Sequence, residues 1–345
     1  MLKLFNNQLT QSVHLTDEQV ALAVGQLVDE AIPAELKADF LCALARKIET
    51  PEEIAAFARE LRAKAIVPPL DAETRAREIL DVCGTGGDRL NTFNISTTVA
   101  LICAAAGVTV AKHGNRAVTS QAGSADVLEA LGIKIELSPE EAARSLREHQ
   151  FAFFFAPHYH PAFRHISAAR KLCAQRSQRT IFNFLGPLLN PARPSAQLVG
   201  VPNPDLCPTL ARVLQSLGVR RGMVVSGRAG DAWLDELSVL GENTLAEFYQ
   251  ERGFANSNIS VSDFPIQPAT LADLAGGDRK ANAEIVRRLL RNEDHGPKRD
   301  AVLLNAAAAL FVAGKSKSIS DGWELAEQVI TSGKARAKLT ELASN

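Results

Sequence analysis

Apolar positions recur at helical spacing through the first 66 residues of the chain. After Thr16-Asp-Glu-Gln19, which reads as a capping box, Val20, Ala23, Val24, Leu27 and Val28 fall on one face. Pro33 stands where a second helix starts, with Leu36, Phe40, Leu41, Leu44 and Ile48 turned inward. Thr50-Pro-Glu-Glu53 caps a third helix that carries Ile54, Phe57, Ala58 and Leu61. Three such helices have more apolar surface than a small bundle can hide, so part of it is expected to pack on the rest of the chain or on a second subunit.

From residue 79 to about 240 the rhythm changes. Short apolar runs at 79–83, 108–111, 133–137, 151–156, 180–182, 198–201 and 223–226 alternate with helical stretches, which predicts a mostly parallel α/β sheet flanked by helices. Ser124 and Ser138-Pro-Glu-Glu141 read as helix starts. The run Phe151-Ala-Phe-Phe-Phe155 predicts a buried central strand rather than a platform for stacked bases. Beyond Leu240 the pattern predicts a surface-like stretch through Asp278, a charged helix near 280–291, an apolar helix at 301–313 and one final amphipathic helix at about 322–342.

Composition narrows the classes. With 345 residues, 46% of them hydrophobic, the chain can bury a sizeable core. Lys plus Arg number 38 against 39 Asp plus Glu, so no global field draws it to nucleic acid or an anionic membrane, and any phosphate chemistry must be local. Cysteines at 42, 83, 103, 173 and 207 show neither a Cys-x-x-Cys pair nor metal-ligand spacing with the histidines, which predicts reduced, mostly buried thiols and a cytoplasmic location. The first residues lack an apolar core of signal-peptide length, and no uncharged run approaches the ~20 residues needed to span a bilayer, so neither export nor a membrane partner is expected.

Candidate chemistry concentrates between residues 79 and 126. The glycines of Gly84-Thr-Gly-Gly-Asp88 follow a predicted strand and let backbone N–H groups approach an anion. Asn94-Ile-Ser-Thr-Thr98 then opens a helix whose N-terminus joins unpaired N–H groups, the positive end of the macrodipole and three hydroxyls. A second strand ends in Lys112-His-Gly-Asn-Arg116, and Gly123-Ser124 opens a further helix at 125–131. Gly-x-Gly-Gly alone is common in tight turns, and hydroxyls are common caps. Two such loops separated by one helix emerge at the same sheet edge if the strands are parallel, and one ligand could then touch both.

Gly84-Thr-Gly-Gly-Asp88, Phe93-Asn-Ile-Ser-Thr97, Lys112-His-Gly-Asn-Arg116 and Gly123-Ser-Ala-Asp-Val-Leu-Glu-Ala-Leu-Gly132 together resemble the anthranilate phosphoribosyltransferases of tryptophan biosynthesis. The resemblance implies a small N-terminal helical domain, 1–68, joined by a helix from about 163–178, and a large α/β domain, 74–345, with a mostly parallel central sheet and flanking helices. Pro68-Pro69 reads as a linker about which the helical part closes over the sheet edge. The implied substrates are phosphoribosyl pyrophosphate (PRPP) and anthranilate, the implied cofactor Mg2+ with two ions per subunit, and the implied assembly a homodimer through the helical domain.

On that pattern Gly84, Gly87, Asp88, Thr92, Asn94, Ser96, Thr97, Lys112, Ser120 and Ser124 hold PRPP, with Ile95, His113, Gly114 and Arg116 on the same loops. Gly84, Asn115 and Arg170 orient anthranilate, and Lys112, Asn115 and Arg170 are the catalytic candidates. Arg170 alone reads as a surface charge, but its planar fork suits a benzoate-type carboxylate, and it follows the His160-Pro-Ala block at the family's spacing. Asp235-Glu236, within Leu234-Asp-Glu-Leu-Ser238, would by itself be solvated surface. The resemblance makes it, with Ser96, the Mg2+ site. His113 is not assigned as a general base. Arg89-Leu90-Asn91 replaces the small, often glycine-containing spacer of the family, which puts acceptor specificity in question. The segment 180–191 reads as structural, and between Arg170 and Arg179 the chain is a few residues longer than the family form. Two competing readings are a pyrimidine nucleoside phosphorylase, for which Lys112-His-Gly-Asn-Arg116 and a metal pair fit poorly, and a nucleic-acid-binding relative, which would need a basic stripe.

Overall fold

The structure is a computed structural model and describes residues 1–117, 121–249 and 252–344. One sheet organises it. Its strands are β1 (Ile79–Gly84), β2 (Thr109–Gly114), β3 (Phe151–Phe155), β4 (Ala196–Gly200), β5 (Arg221–Ala229), β6 (Ala232–Leu234), β7 (Asn243–Tyr249) and β8 (Arg252–Ile259). They run in the order β3-β2-β1-β4-β5-β7-β8, with β6 paired to β5. The first five are parallel; β6, β7 and β8 are antiparallel. The chain winds outward from β1 to β3 and returns to β4 on the other side of β1. That reversal leaves a crevice beyond the carboxyl ends of β1 and β4, where open α/β sheets bind ligands.

Helices cover both faces. Ile95–Ala105, Arg279–Leu290, Pro297–Val312, Ile319–Thr331 and Lys334–Ala343 share one core with the inward side chains of β1, β2 and β5, including Leu80, Val82, Val110 and Met223. On the opposite face Val199, Val224 and Phe248 lie in a core that runs through helix Leu206–Ser216 into the N-terminal helices Leu2–Thr10, Asp17–Val28, Ala34–Lys47 and Pro51–Ala63. Helix Arg164–Gln175 joins that second core through Ile166, Ala169 and Cys173. The capping boxes at Thr16, Thr50 and Ser138 form as their sequences dictate, each hydroxyl accepting from the N–H three residues on.

Five expectations are corrected. Residues 133–137 form no strand: Ile133 and Ile135 are buried and alternate with exposed Lys134 and Glu136, but the segment has no ladder partner, so its period of two reflects burial alone. Residues 180–182 belong to a 3-10 turn, Ile181–Asn183, because Asn183 Oδ1 accepts from the Thr180 N–H at 2.8 Å and bends the chain. The stretch after Leu240 holds β7 and the edge strand β8, whose exposed side chains carry no apolar alternation to announce it. The final helix is two, broken where Gly333 turns to φ 79°. Ile48, expected inward, instead ends its helix at φ 69° and stands exposed.

At the sheet edge His113 and His160 are buried with ring centroids 5.3 Å apart. Burial and the neighbouring His160 push the His113 pKa down to about 3, and burial pushes His160 down to about 4. A folded-state pKa below the unfolded value binds the proton more weakly, so this stability is present above about pH 6.5 and is lost as pH falls toward the folded value. Removing His160 as His160→Gln is therefore expected to narrow the stability gap to wild type by roughly 3 kcal/mol between pH 7 and pH 4. Melting curves across that range test it; a gap independent of pH would show that His160 titrates normally.

Candidate active site

Gly84 ends β1 directly opposite Gly200 at the end of β4. The segment after β6 crosses these two ends. A Cβ on Gly84 would lie 2.0 Å from Asp235 Oδ2, and one on Gly200 would lie 1.6 Å from the Asp235 carbonyl oxygen. Paired glycines at the switch point are thus what lets Asp235 reach the first loop. There its Oδ2 accepts from the Gly86 N–H at 2.7 Å, while Glu236 Oε1 accepts from the Ser96 N–H at 3.2 Å. One carboxylate engages the glycine loop and its neighbour caps helix Ile95–Ala105.

The electrostatics of this junction are unbalanced. Burial and then Asp88 push the Asp235 pKa above the carboxylate range, and burial and then Asp235 do the same to Glu236. Lys112, almost fully buried, offsets part of this; its Nζ donates to the Val82 carbonyl at 2.7 Å and to Ser96 Oγ at 3.5 Å. Beneath it Asp81, in the middle of β1, accepts from Asn190 Nδ2 at 2.8 Å and from the His113 N–H at 3.3 Å, and burial raises its pKa to about 6. Asp235 and Glu236 are adjacent buried carboxylates, the hard oxygen donors a divalent cation takes. Among the described residues no group of three or more His, Cys, Asp or Glu could hold a metal ion by itself. That suits Mg2+, which takes one or two carboxylates and completes its shell with water and substrate phosphates.

The second cradle follows β2. The Asn115 carbonyl accepts from the Ala125 N–H at 3.3 Å and from Ser124 Oγ at 3.4 Å, which ties this loop to helix Ser124–Ala130. Arg116 reaches the cleft wall with its charge already committed, to Asp126 at 3.2 Å and Glu129 at 3.0 Å. The His113 ring turns toward the Gly186 carbonyl, 3.2 Å from Nδ1, and stays neutral. Asn94 is held by Asn282 at 2.9 Å and by the Ala122 carbonyl at 3.3 Å. Arg89 and Asn91 adopt φ 60° and 53°, in the left-handed region that favours glycine.

Both cradles open into one cleft of roughly 640 Å3. Every site residue named from the sequence lines it, except Ser120, which lies outside the described residues. Arg170 lines the far side, its guanidinium 5.5 Å from the centre of the Phe182 ring, and no carboxylate among the described residues pairs with it. Sequence reasoning missed three contributors. Phe182 lies in a segment read as purely structural, Asn190 stands as a lone amide among Leu and Pro, and Arg179 donates to the Gly87 carbonyl at 2.9 Å. Only Asn190 had a visible signal, a polar side chain in an apolar run.

Family profiles match both parts of the chain: "Glycosyl transferase family, helical bundle domain" over residues 4–65, and "Glycosyl transferase family, a/b domain" over residues 76–336. The anthranilate phosphoribosyltransferase of Moorella thermoacetica is 45% identical over 345 residues, covering 100% of this chain and 98% of that protein. The chain belongs to the anthranilate phosphoribosyltransferase family. Among solved structures, the Thermus thermophilus enzyme superposes with a TM-score of 0.88 at 39% identity, covering 99% of this chain and 98% of that one. The Saccharomyces cerevisiae enzyme in complex with PRPP and Mg superposes with a TM-score of 0.86 at 26% identity, covering 99% and 98%. The N-terminal helical bundle follows the helical spacing of the first 66 residues and the large α/β part the strand rhythm after residue 79.

The crowded carboxylates give a test that separates binding from folding. Asp235→Asn keeps an oxygen for the Gly86 N–H and removes one charge from the cluster. Metal-free variant protein is expected to melt higher than wild type at pH 8, while metal-dependent turnover falls at least tenfold, or about 1.4 kcal/mol of barrier. Unchanged turnover would remove Asp235 from the metal site.

Proposed function

We propose that this chain transfers the phosphoribosyl group of PRPP to the amino nitrogen of anthranilate, releasing pyrophosphate, as a step of tryptophan biosynthesis in the cytoplasm. The observation that carries the proposal is the meeting of two phosphate cradles and an acidic pair at one switch point, with Arg170 across the cleft. The N–H groups of the Gly84–Asp88 loop and the N-terminus of helix Ile95–Ala105, with Thr92, Asn94, Ser96 and Thr97, hold the phosphates of PRPP. Ser124 and Lys112 complete that shell. Ser96, Asp235 and Glu236 hold Mg2+, two ions in this reading, which when bound supply positive charge that offsets the charge of the departing pyrophosphate.

Lys112 keeps a fixed cation below the same point, so part of the stabilisation is present before substrate arrives. Gly84, Asn115 and Arg170 orient anthranilate, with Arg170 pairing its carboxylate. Attack by an aromatic amine on a sugar carbon whose leaving group departs readily needs little prior proton removal, so positioning dominates. The neutral, buried His113 agrees with that division of labour.

The division proposed for the chain sets residues 1–68 with helix Arg164–Gln175 apart from 74–345, supported by the packing of that helix against Ala34–Lys47. A homodimer through the helical part is supported by Met1, Leu4, Val13 and Leu22, four large apolar side chains left 48–69% exposed on its surface.

The decisive assay is loss of anthranilate fluorescence that requires both PRPP and Mg2+. Arg170→Ala is expected to lower the use of anthranilate ten- to hundredfold, the loss of a charge-assisted contact of ~1.5–3 kcal/mol, with little change in PRPP binding. An unchanged anthranilate KM and turnover would reject that role. For the assembly, sedimentation of a Leu4→Glu, Leu22→Glu double variant is expected to give monomers where wild type gives dimers, and a dimeric variant would move the interface elsewhere.

A further inference from the structure

Arg179 stands on the short segment after helix Arg164–Gln175, on the acceptor side of the cleft, and is not among the residues that the PRPP reading requires. Its Nη2 donates to the Gly87 carbonyl at 2.9 Å, across a sequence gap of 92 residues. No carboxylate among the described residues pairs with this guanidinium. Gly86 and Gly87, at φ 77° and 89°, are two successive glycines in the left-handed region, where little but their contacts prevents the intervening peptides from turning over.

Beside Thr85 Oγ1, which donates to the Gly86 carbonyl at 3.4 Å from within the loop, two contacts come from outside it. Asp235 accepts from the Gly86 N–H and holds one end of the loop from the metal side, and Arg179 holds the other from the acceptor side. Because the peptide unit is planar and trans, fixing the Gly87 carbonyl fixes the Asp88 N–H on the opposite side of the same plane. The Arg179 contact therefore sets the direction of a loop amide as well as the position of the loop.

Helix Arg164–Gln175 carries Arg170 and packs on Ala34–Lys47 through the Cys42–Cys173 contact at 3.5 Å and the Arg176 ion pairs with Glu35 and Asp39 at 2.6 and 2.7 Å. We propose that Arg179 is a positioning residue that clasps the Gly87 carbonyl, orienting the phosphate-binding loop and coupling it to the helix that presents Arg170 to the acceptor. The proposal rests on the phosphoribosyl-transfer reading of the cleft. It implies that PRPP and anthranilate each strengthen the binding of the other, because one clasp serves both halves.

The test compares Arg179→Ala and Arg179→Lys with wild type in the anthranilate fluorescence assay, in PRPP–Mg2+ calorimetry with and without anthranilate, and in thermal melts. Arg179→Ala is expected to raise the PRPP KM about tenfold at a nearly unchanged melting temperature and to abolish the effect of anthranilate on PRPP affinity, with Arg179→Lys restoring most of both. A variant with wild-type PRPP KM and coupling overturns the proposal, as does one whose only change is a lower melting temperature. If the wild-type protein consumes no anthranilate with PRPP, the functional reading fails instead; calorimetry alone then reports whether Arg179 orients the loop.

Discussion

The close approach of Asp235 to the ends of β1 and β4 is the constraint on which the rest of the site depends. Parallel pairing brings Gly84 and Gly200 side by side, and the absence of two Cβ atoms admits the 235–236 segment between the loops. From there Asp235 binds the glycine loop and Glu236 the helix N-terminus, so one dipeptide ties together both parts of the first cradle. A side chain at either glycine would push these carboxylates out of reach of the phosphate loops. The cleft would keep its walls but lose the charge pattern that distinguishes it.

That pattern is held at a cost to the fold. Burial and Asp88 raise the proton affinity of Asp235, burial and Asp235 raise that of Glu236, and buried Lys112 is set against them. A protein under selection for stability alone would neutralise or expose them. Their place at the carboxyl edge of a parallel sheet, beside a helix N-terminus, marks a site built to receive mixed charge: cation toward the carboxylates, phosphate toward the amides. Asp81 and Asn190 below them are buried and mutually hydrogen-bonded, so the base of the site does not yield when the charge above it changes.

The sequence was most legible where local chemistry decided structure. Capping boxes at Thr16, Thr50 and Ser138, the apolar runs of β1 to β5 and the glycine loop all follow from residues near one another. It was least legible where hydrogen bonding depended on distant chain. Residues 133–137 alternate like a strand but join no ladder among the described residues, while β8 pairs along its length with only Phe254, Ala255 and Ile259 apolar. The same rule divides the site. Gly84 to Ser96 could be read directly, whereas Phe182 under Arg170 and Arg179 on Gly87 arise from contacts that no spacing reveals.

The Arg170 side of the cleft and the phosphate cradles rest on different cores. Arg170 sits on a helix whose buried side chains Ile166, Ala169 and Cys173 lie in the core of the N-terminal helices, while Lys112, Ser96 and Asp235 are fixed to the sheet. Water must be kept from the sugar carbon as pyrophosphate leaves, and a cleft walled by two bodies can exclude it by moving one of them. On the proposed reading, the acceptor's carboxylate pairs with an arginine held by the core of the N-terminal helices. Arg170 lies on the helix from the bundle side and not on a loop of the sheet, so on that reading acceptor binding and water exclusion are a single event.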